Sequence, residues 1–328
     1  MLLSATPFTN SPLEIFSMLA LIAYEELLAA GVLSIKSFFD TYIRTSDEIV
    51  INSQLEAERT QVIMGFNNLA SLQQLIRRFV IHKTGEEAGI VRPNKIILPL
   101  KYSEENNQRF ELKEDAQIST RLQPTALQKE LLAEVSSYVQ GSTRLKDLGC
   151  KVPKNYDPDN DAPVLRAISY ASQIALSPYL YTCNDLGEPT AQEVIEESPK
   201  LAYTIGCIAS IKRYADEKGY DMPGQVIYLN IGVGYFGLIK RFLVKQIGFT
   251  DEEVAMFDGT LNSKEKDEVK NRFLNGEIKV LIGSSAIREG VNLQYRATDL
   301  YILNLDWIPT DVKQLEGRIW RQGNRYRN

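Results

Sequence analysis

The run Gln314-Leu-Glu-Gly-Arg-Ile-Trp-Arg321-Gln-Gly sets two arginines, Arg318 and Arg321, three residues apart near the end of the sequence. On a helix that spacing places them on one face. Gly317, just before the first, would let another backbone approach closely. A planar guanidinium is well suited to answering charge that builds on a transferring phosphoryl group. The same pair could equally be a solvated helix face. What accompanies the pair decides between these readings.

Upstream stand Phe257-Asp-Gly-Thr-Leu-Asn, with Gly259, and Lys279-Val-Leu-Ile-Gly-Ser-Ser-Ala-Ile-Arg-Glu-Gly-Val-Asn-Leu293, with Ser284, Ser285, Glu289 and Gly290. Then comes Tyr301-Ile-Leu-Asn-Leu-Asp-Trp-Ile-Pro309. Small hydroxyl residues just after an apolar strand lie in a loop at the carboxyl edge of an α/β sheet, where such sheets bind ligands. Alone, Ser284 to Leu293 would also fit an ordinary strand and turn. A further run, Gly232-Val-Gly234-Tyr-Phe-Gly237, follows a strand and opens a helix, with Asp258 about twenty residues on. That context suits a dinucleotide or an S-adenosyl group, a phosphate received at a helix start, or a plain tight turn.

In order and spacing these runs resemble the second motor lobe of superfamily 2 helicases, and the SNF2 class in particular, although the double glycine usual there is replaced around Ser284. Three more stretches extend the resemblance. Ser4-Ala5-Thr6-Pro7 with Asn10 and Glu14-Ile-Phe-Ser-Met-Leu19 is similar to the motif coupling hydrolysis to movement at the end of the first lobe. Gln74-Leu-Ile-Arg77-Arg78 to Lys83, with Arg92 to Pro99, is similar to the passage between lobes, and Leu165 to Tyr179 to the helical insertion before the second lobe. Arg77-Arg78 could otherwise be a solvated basic pair.

The resemblance implies that Arg321 is an arginine finger, Arg318 a second γ-phosphate contact and Gln314 a supporting polar group. It implies that Ser284, Ser285, Gly259, Gly232 and Gly234 meet nucleic acid, that Glu289 and Gly290 face the ATP cleft, and that Ser4, Ala5 and Thr6 form the coupling motif. ATP and Mg2+ would be bound mainly by the first lobe. The implied partners are DNA, double-stranded in this class, and the remainder of that lobe. A finger is worth about 4–7 kcal/mol of barrier.

No Gly-Lys dipeptide occurs, so the phosphate loop G-x-x-x-x-G-K-[ST] is missing. Asp47-Glu48, Asp216-Glu217 and Asp267-Glu268 are expected in helices or loops, with the wrong neighbours for a magnesium-binding acid pair. The expectation is a fragment of a larger motor, cut at both ends, that does not hydrolyse ATP alone. Two other functions fit less of the chain: a non-catalytic nucleic-acid or partner-binding module, and a cofactor-dependent enzyme built on Gly232 to Gly237.

At 328 residues and 44% hydrophobic, the chain is long enough for roughly two domains. A net charge of -5 argues against binding nucleic acid through global positive charge, but not through a local groove. Cys150, Cys183 and Cys207, far apart and odd in number, suggest no disulfide framework or metal site, and so a reducing, intracellular setting. His82, beside Lys83, reads as a surface residue. Glu25-Glu26 interrupts the apolar stretch Ile15 to Leu33, so it is no membrane span.

The elements that must position these residues follow from periodicity. Residues 1–92 read as mostly helical, with Leu69, Leu72, Leu75, Ile76 and Phe79 marking one face, and as the remnant of a first lobe. Residues 93–328 read as the second lobe: a crossover strand from Lys95 to Tyr102, a helical insertion at about 122–185 with a Pro/Asp/Asn loop from Pro153 to Pro163, then alternating strands and helices. Apolar runs of four to six residues between amphipathic helices predict an α/β, RecA-like parallel sheet with helices on both faces.

Overall fold

A computed structural model describes residues 11–52, 56–93, 95, 122–150, 162–183, 186–288 and 291–326. The chain divides into two compact units: residues 1–91 with 160–162 and 307–310, and residues 92–159, 163–306 and 311–328. The crossover strand beyond Lys95, the loop at 153–163 apart from its last two residues, and the coupling motif Ser4, Ala5 and Thr6 lie outside the described residues.

In the first unit, helices α1 (Glu14–Ile22), α2 (Tyr24–Ala29) and α3 (Ile35–Tyr42) precede strands β1 (Ile43–Ile51) and β2 (Ala57–Phe66), and then helix α4 (Leu69–Phe79). Ile15, Leu19, Ala23 and Leu27 recur every four residues, and form the core with Phe38 and Leu72. Ser34 caps α3 reciprocally with Ser37, satisfying the free amides of its first turn. The expectation for residues 1–92 is mostly helix, and the hairpin is the part that it does not mark. β1 and β2 pair antiparallel from Ile43↔Phe66 to Ile51↔Ala57. Their β-branched runs lack the strict polar–apolar alternation that marks a strand, because both faces are largely solvated and Ile49 and Ile51 point outward. Asp47-Glu48 accordingly lies in a strand, not in a helix or loop.

The second unit opens with α5 (Ala126–Val139) and α6 (Pro163–Leu176), which pack with the 3-10 turn Leu145–Leu148 into their own cluster. Here the cysteine expectation is overturned. Cys150 and Cys183 are joined by a disulfide, because the turn after Leu148 and the turn after Leu180 meet in one small core. Distance along the chain did not bound distance in the fold. No helix among the described residues is long and apolar enough to cross a membrane.

Helices α7 (Ala191–Glu196) and α8 (Pro199–Lys218) lead into the sheet. The order is β3 (Gly224–Tyr228), α9 (Phe236–Phe242), β4 (Val254–Phe257), α10 (Ser263–Asn275), β5 (Val280–Gly283), α11 (Ser285–Arg288), β6 (Ala297–Ile302) and α12 (Pro309–Glu316). The strands lie in the order β4-β5-β3-β6, all parallel. Alternation along buried strands divides the core in two. Ile227, Val280 and Ile282 pack with Ile205, Ile208, Ile239 and Leu243 of α8, α9 and the π-turn that extends α9. Val226, Tyr228 and Leu281 pack with Phe273, Ile287 and Leu315 of α10, α11 and α12. This is the predicted doubly covered sheet.

One ion network ties the sheet's amino-terminal edge together. Arg296, whose side chain is 2% exposed, donates to Asp221 at 2.5 Å and to the Met222 carbonyl at 3.1 Å. Asp221 also meets Lys279 at 2.7 Å. Gly276 must be glycine twice over: its φ is +82°, and a Cβ would stand 2.6 Å from the Arg296 guanidinium. The Arg296 bond, with Lys279 beside it, holds the Asp221 carboxyl well below the usual carboxylate range, against burial that acts the other way. Asp221→Ala strands a buried cation, and urea unfolding at pH 7 should register a loss of about 2 kcal/mol, discounted because Asp221 is itself 45% exposed. The folded-state pKa lies below the unfolded one. The wild-type advantage is therefore complete above the unfolded value of about 4 and shrinks as pH falls toward the depressed value. Unfolding curves of the two proteins should therefore stand apart at pH 7 and draw together on the acid side of 4.

Candidate functional site at the carboxyl edge of the sheet

Parallel strands end with their carboxyl termini along one edge, and polar residues gather there because the next residues leave the core. Asp306 is the hub. Its carboxylate accepts from the Tyr228 hydroxyl at 2.6 Å, from Asn230 Nδ2, and from Arg288 Nη1 at 3.2 Å. Burial first, and the bond to Asp306 second, push the Tyr228 hydroxyl far above its ordinary pKa, so it stays a donor. Asn230 accepts the Ser285 N–H at 2.7 Å and donates its own N–H to Asn304 at 2.7 Å. Arg288 is shared with Asp311 at 2.5 Å. Both Arg288 and Asp306 are largely buried.

From this hub the arginine motif is held. The Arg288 carbonyl accepts from Arg318 Nε at 2.8 Å, and the Arg318 carbonyl accepts the Leu293 N–H at 3.0 Å. Arg321 is exposed and donates from Nη1 to Asn292 Oδ1 at 3.0 Å. Between the two arginines, Trp320 Nε1 donates to the Pro93 carbonyl at 2.8 Å, with Arg92 and Lys95 over its ring at 5.0 and 5.3 Å. Lys95 also pairs with Glu316 at 2.7 Å.

The placement of the arginines differs from the expected helix face. α12 ends at Glu316, and tightened turns follow, with Arg318 N–H donating to the Leu315 carbonyl and Trp320 N–H to that of Glu316. Gly317 admits no foreign backbone; the nearest atoms to a Cβ there would be the Lys313 and Gln314 carbonyls, at 3.3 and 3.4 Å. Glycine stops the helix, and the tether to Arg288 fixes the turn that replaces it. Gln314 stays half-buried on the last turn of α12.

The other candidates separate. Ser284 is buried, its N–H given to the Phe257 carbonyl at 3.1 Å, whereas Ser285 is half-buried at the start of α11. Gly283 leaves room for Ile287, 2.2 Å from where a Cβ would sit. Gly232 has φ +78°, and the Leu180 side chain lies 2.9 Å from its Cβ position. Tyr235 in the same loop donates to the Tyr179 carbonyl at 2.7 Å. The space over Gly232 is therefore filled from within, while Gly234 and Gly259 stand open. Asp258 is engaged locally, accepting the Thr260 N–H at 2.8 Å. Glu289 and Gly290 lie outside the described residues. His82 is exposed, and no group of three or more His, Cys, Asp or Glu suited to a metal ion occurs among the described residues. Sequence reasoning missed Asn230, Asp306 and Arg288. Their only signal was polar residues two to five places beyond strand ends.

Residues 227–323 match the family model described as "Helicase conserved C-terminal domain". A chloroplastic ATP-dependent DNA helicase of Arabidopsis thaliana is 30% identical over 102 residues, which is 31% of this chain and 12% of that relative. The chain thus spans a small part of that relative's length. Among solved structures, the Sulfolobus solfataricus SWI2/SNF2 ATPase core in complex with dsDNA is 22% identical, with TM-score 0.41 over 62% of this chain and 36% of that one. The C-terminal domain of a Sulfolobus solfataricus SWI2/SNF2 ATPase is 18% identical, with TM-score 0.37 over 55% and 65%.

Asp306→Ala removes the common acceptor of three donors and leaves Arg288 half-compensated. A cost of about 2–4 kcal/mol in urea unfolding is expected. Hydrogen exchange at the Ser285 amide should accelerate more than at the Ile227 amide in the core of β3. Equal acceleration at both would mean that Asp306 merely holds up the whole fold.

Proposed function

From a chain whose residues 227–323 are a helicase C-terminal domain, we propose that it serves as the arginine-bearing, nucleic-acid-facing lobe of an ATP-driven DNA helicase or translocase of the SNF2-like kind. One observation carries this: Arg318 is tethered through Arg288 and Asp306 to the loop that bears Ser285, while Arg321 beside it is left exposed. A tethered arginine and a free one, on the edge where open α/β sheets bind ligands, suit a phosphoryl group that must be met only when a second lobe closes.

On this reading Arg321 is the finger, Arg318 steadies the γ-phosphate through its two free Nη groups, and Gln314 supports them. Ser285 offers its hydroxyl, and Gly234 and Gly259 their N–H groups, to the nucleic-acid backbone. Buried Ser284 and covered Gly232 shape the loops instead. ATP brings Mg2+ with it on the opposing lobe, which supplies the phosphate-holding groups that this sequence lacks. The arginines fit that division, since neither pairs with a carboxylate among the described residues. The packing of Leu180 over Gly232 weighs against a dinucleotide or S-adenosyl cofactor there.

The isolated 328-residue chain should show no ATPase rate above background, and a clear turnover would sink the division of labour. Arg321→Ala should leave unfolding free energy within about 0.5 kcal/mol of wild type. Joined to its ATP-binding lobe, the same variant should lose turnover by roughly 10³–10⁵-fold. A loss below tenfold would remove the finger role.

A further inference from the structure

Helix α4 carries a polar stripe that the motor reading does not use. Ala70, Gln73, Gln74, Arg77 and Arg78 recur at i, i+3, i+4, i+7 and i+8, and are the described residues that line a concavity of about 460 Å³. The opposite face is core, with Leu72 buried and Leu75 and Ile76 packed on it. Neither arginine makes an ion pair or hydrogen bond to another described residue, and both are exposed.

A solvated pair complementing the helix dipole is the plain alternative. Two features go beyond it. Acidic side chains outnumber basic ones across residues 11–91, yet none is placed against this pair. The positions one turn earlier, where Glu would form favourable i,i+4 pairs with each arginine, are Gln73 and Gln74. A helix shaped for stability alone would put carboxylates there. Neutral amides keep both charges available and add donors and acceptors to the same stripe.

We infer that the Gln73, Gln74, Arg77 and Arg78 face of α4 is a nucleic-acid contact, in which the two guanidiniums bind phosphodiester oxygens. This rests on the reading of the chain as DNA-facing but adds a site in the other unit. Arginine suits it by its forked donors, and sequence-independent charge contact is what a translocating protein needs.

The test is fluorescence anisotropy of a labelled DNA duplex with the full 328-residue chain across a salt series. Arg77→Ala/Arg78→Ala should weaken binding roughly tenfold to a hundredfold near 0.1 M salt and flatten the log K against log[salt] slope by about 2. Arg77→Lys/Arg78→Lys should keep most of the slope. Gln73→Glu/Gln74→Glu should weaken binding in the same direction while leaving the melting temperature equal or higher, which a merely structural role would not produce. If wild type binds duplex and all three variants bind alike, this inference is overturned and the DNA-facing reading stands. If wild type binds no duplex at any salt, both fall. Binding of heparin but not duplex would assign the face to a different polyanion and overturn the proposal.

Discussion

A carboxylate buried at a sheet edge must find donors or carry a large desolvation cost, and much of the candidate site follows from how Asp306 finds them. Its three donors come from the end of β3, from the residue two places beyond that strand, and from α11. Each then has a second task. Asn230 holds the Ser285 amide, and Arg288 offers its carbonyl to Arg318. Satisfying one anion thus fixes two loops. The cost of burying Arg288 is shared with Asp311, so two carboxylates and one guanidinium, with Tyr228 and Asn230, form a closed set. Partly satisfied networks of this kind are the costly ones, and this one leaves none of its hub atoms unpaired.

The sheet was legible because its signal is strong. Val254–Phe257 and Val280–Gly283 are short apolar runs bounded by turn residues, and the capping pattern from Asn262 to Glu265 marks the start of α10. The hairpin was not legible. Its strands place Ile49 and Ile51 in solvent and polar residues on both faces, so no period of two survives. The Cys150–Cys183 bond could not be read either, since it depends on two turns meeting in a satellite core. The site was half visible. Arg318 and Arg321 stood out by type and spacing, but spacing alone predicted a helix where Gly317 ends one. Asn230 and Asp306, 76 residues apart, become a pair only through the β3-β6 neighbourhood.

Local charge, not net charge, sets what an arginine on this acidic chain meets. A net charge of -5 spread over the molecule is screened within about 8 Å at physiological salt, so only local partners matter. The arginines of this chain sort by the partner they are given. Arg296 and Arg288 are buried against carboxylates, where a neutral partner would leave an uncompensated ion. Arg321 is oriented by the amide of Asn292, and Arg77 and Arg78 follow amides one turn back. An amide can hold a guanidinium in place without cancelling its charge. A carboxylate at the same positions would add stability and remove the field an incoming phosphate needs. Among these five arginines, a carboxylate partner goes with burial in the fold, and an amide neighbour goes with a charge left exposed.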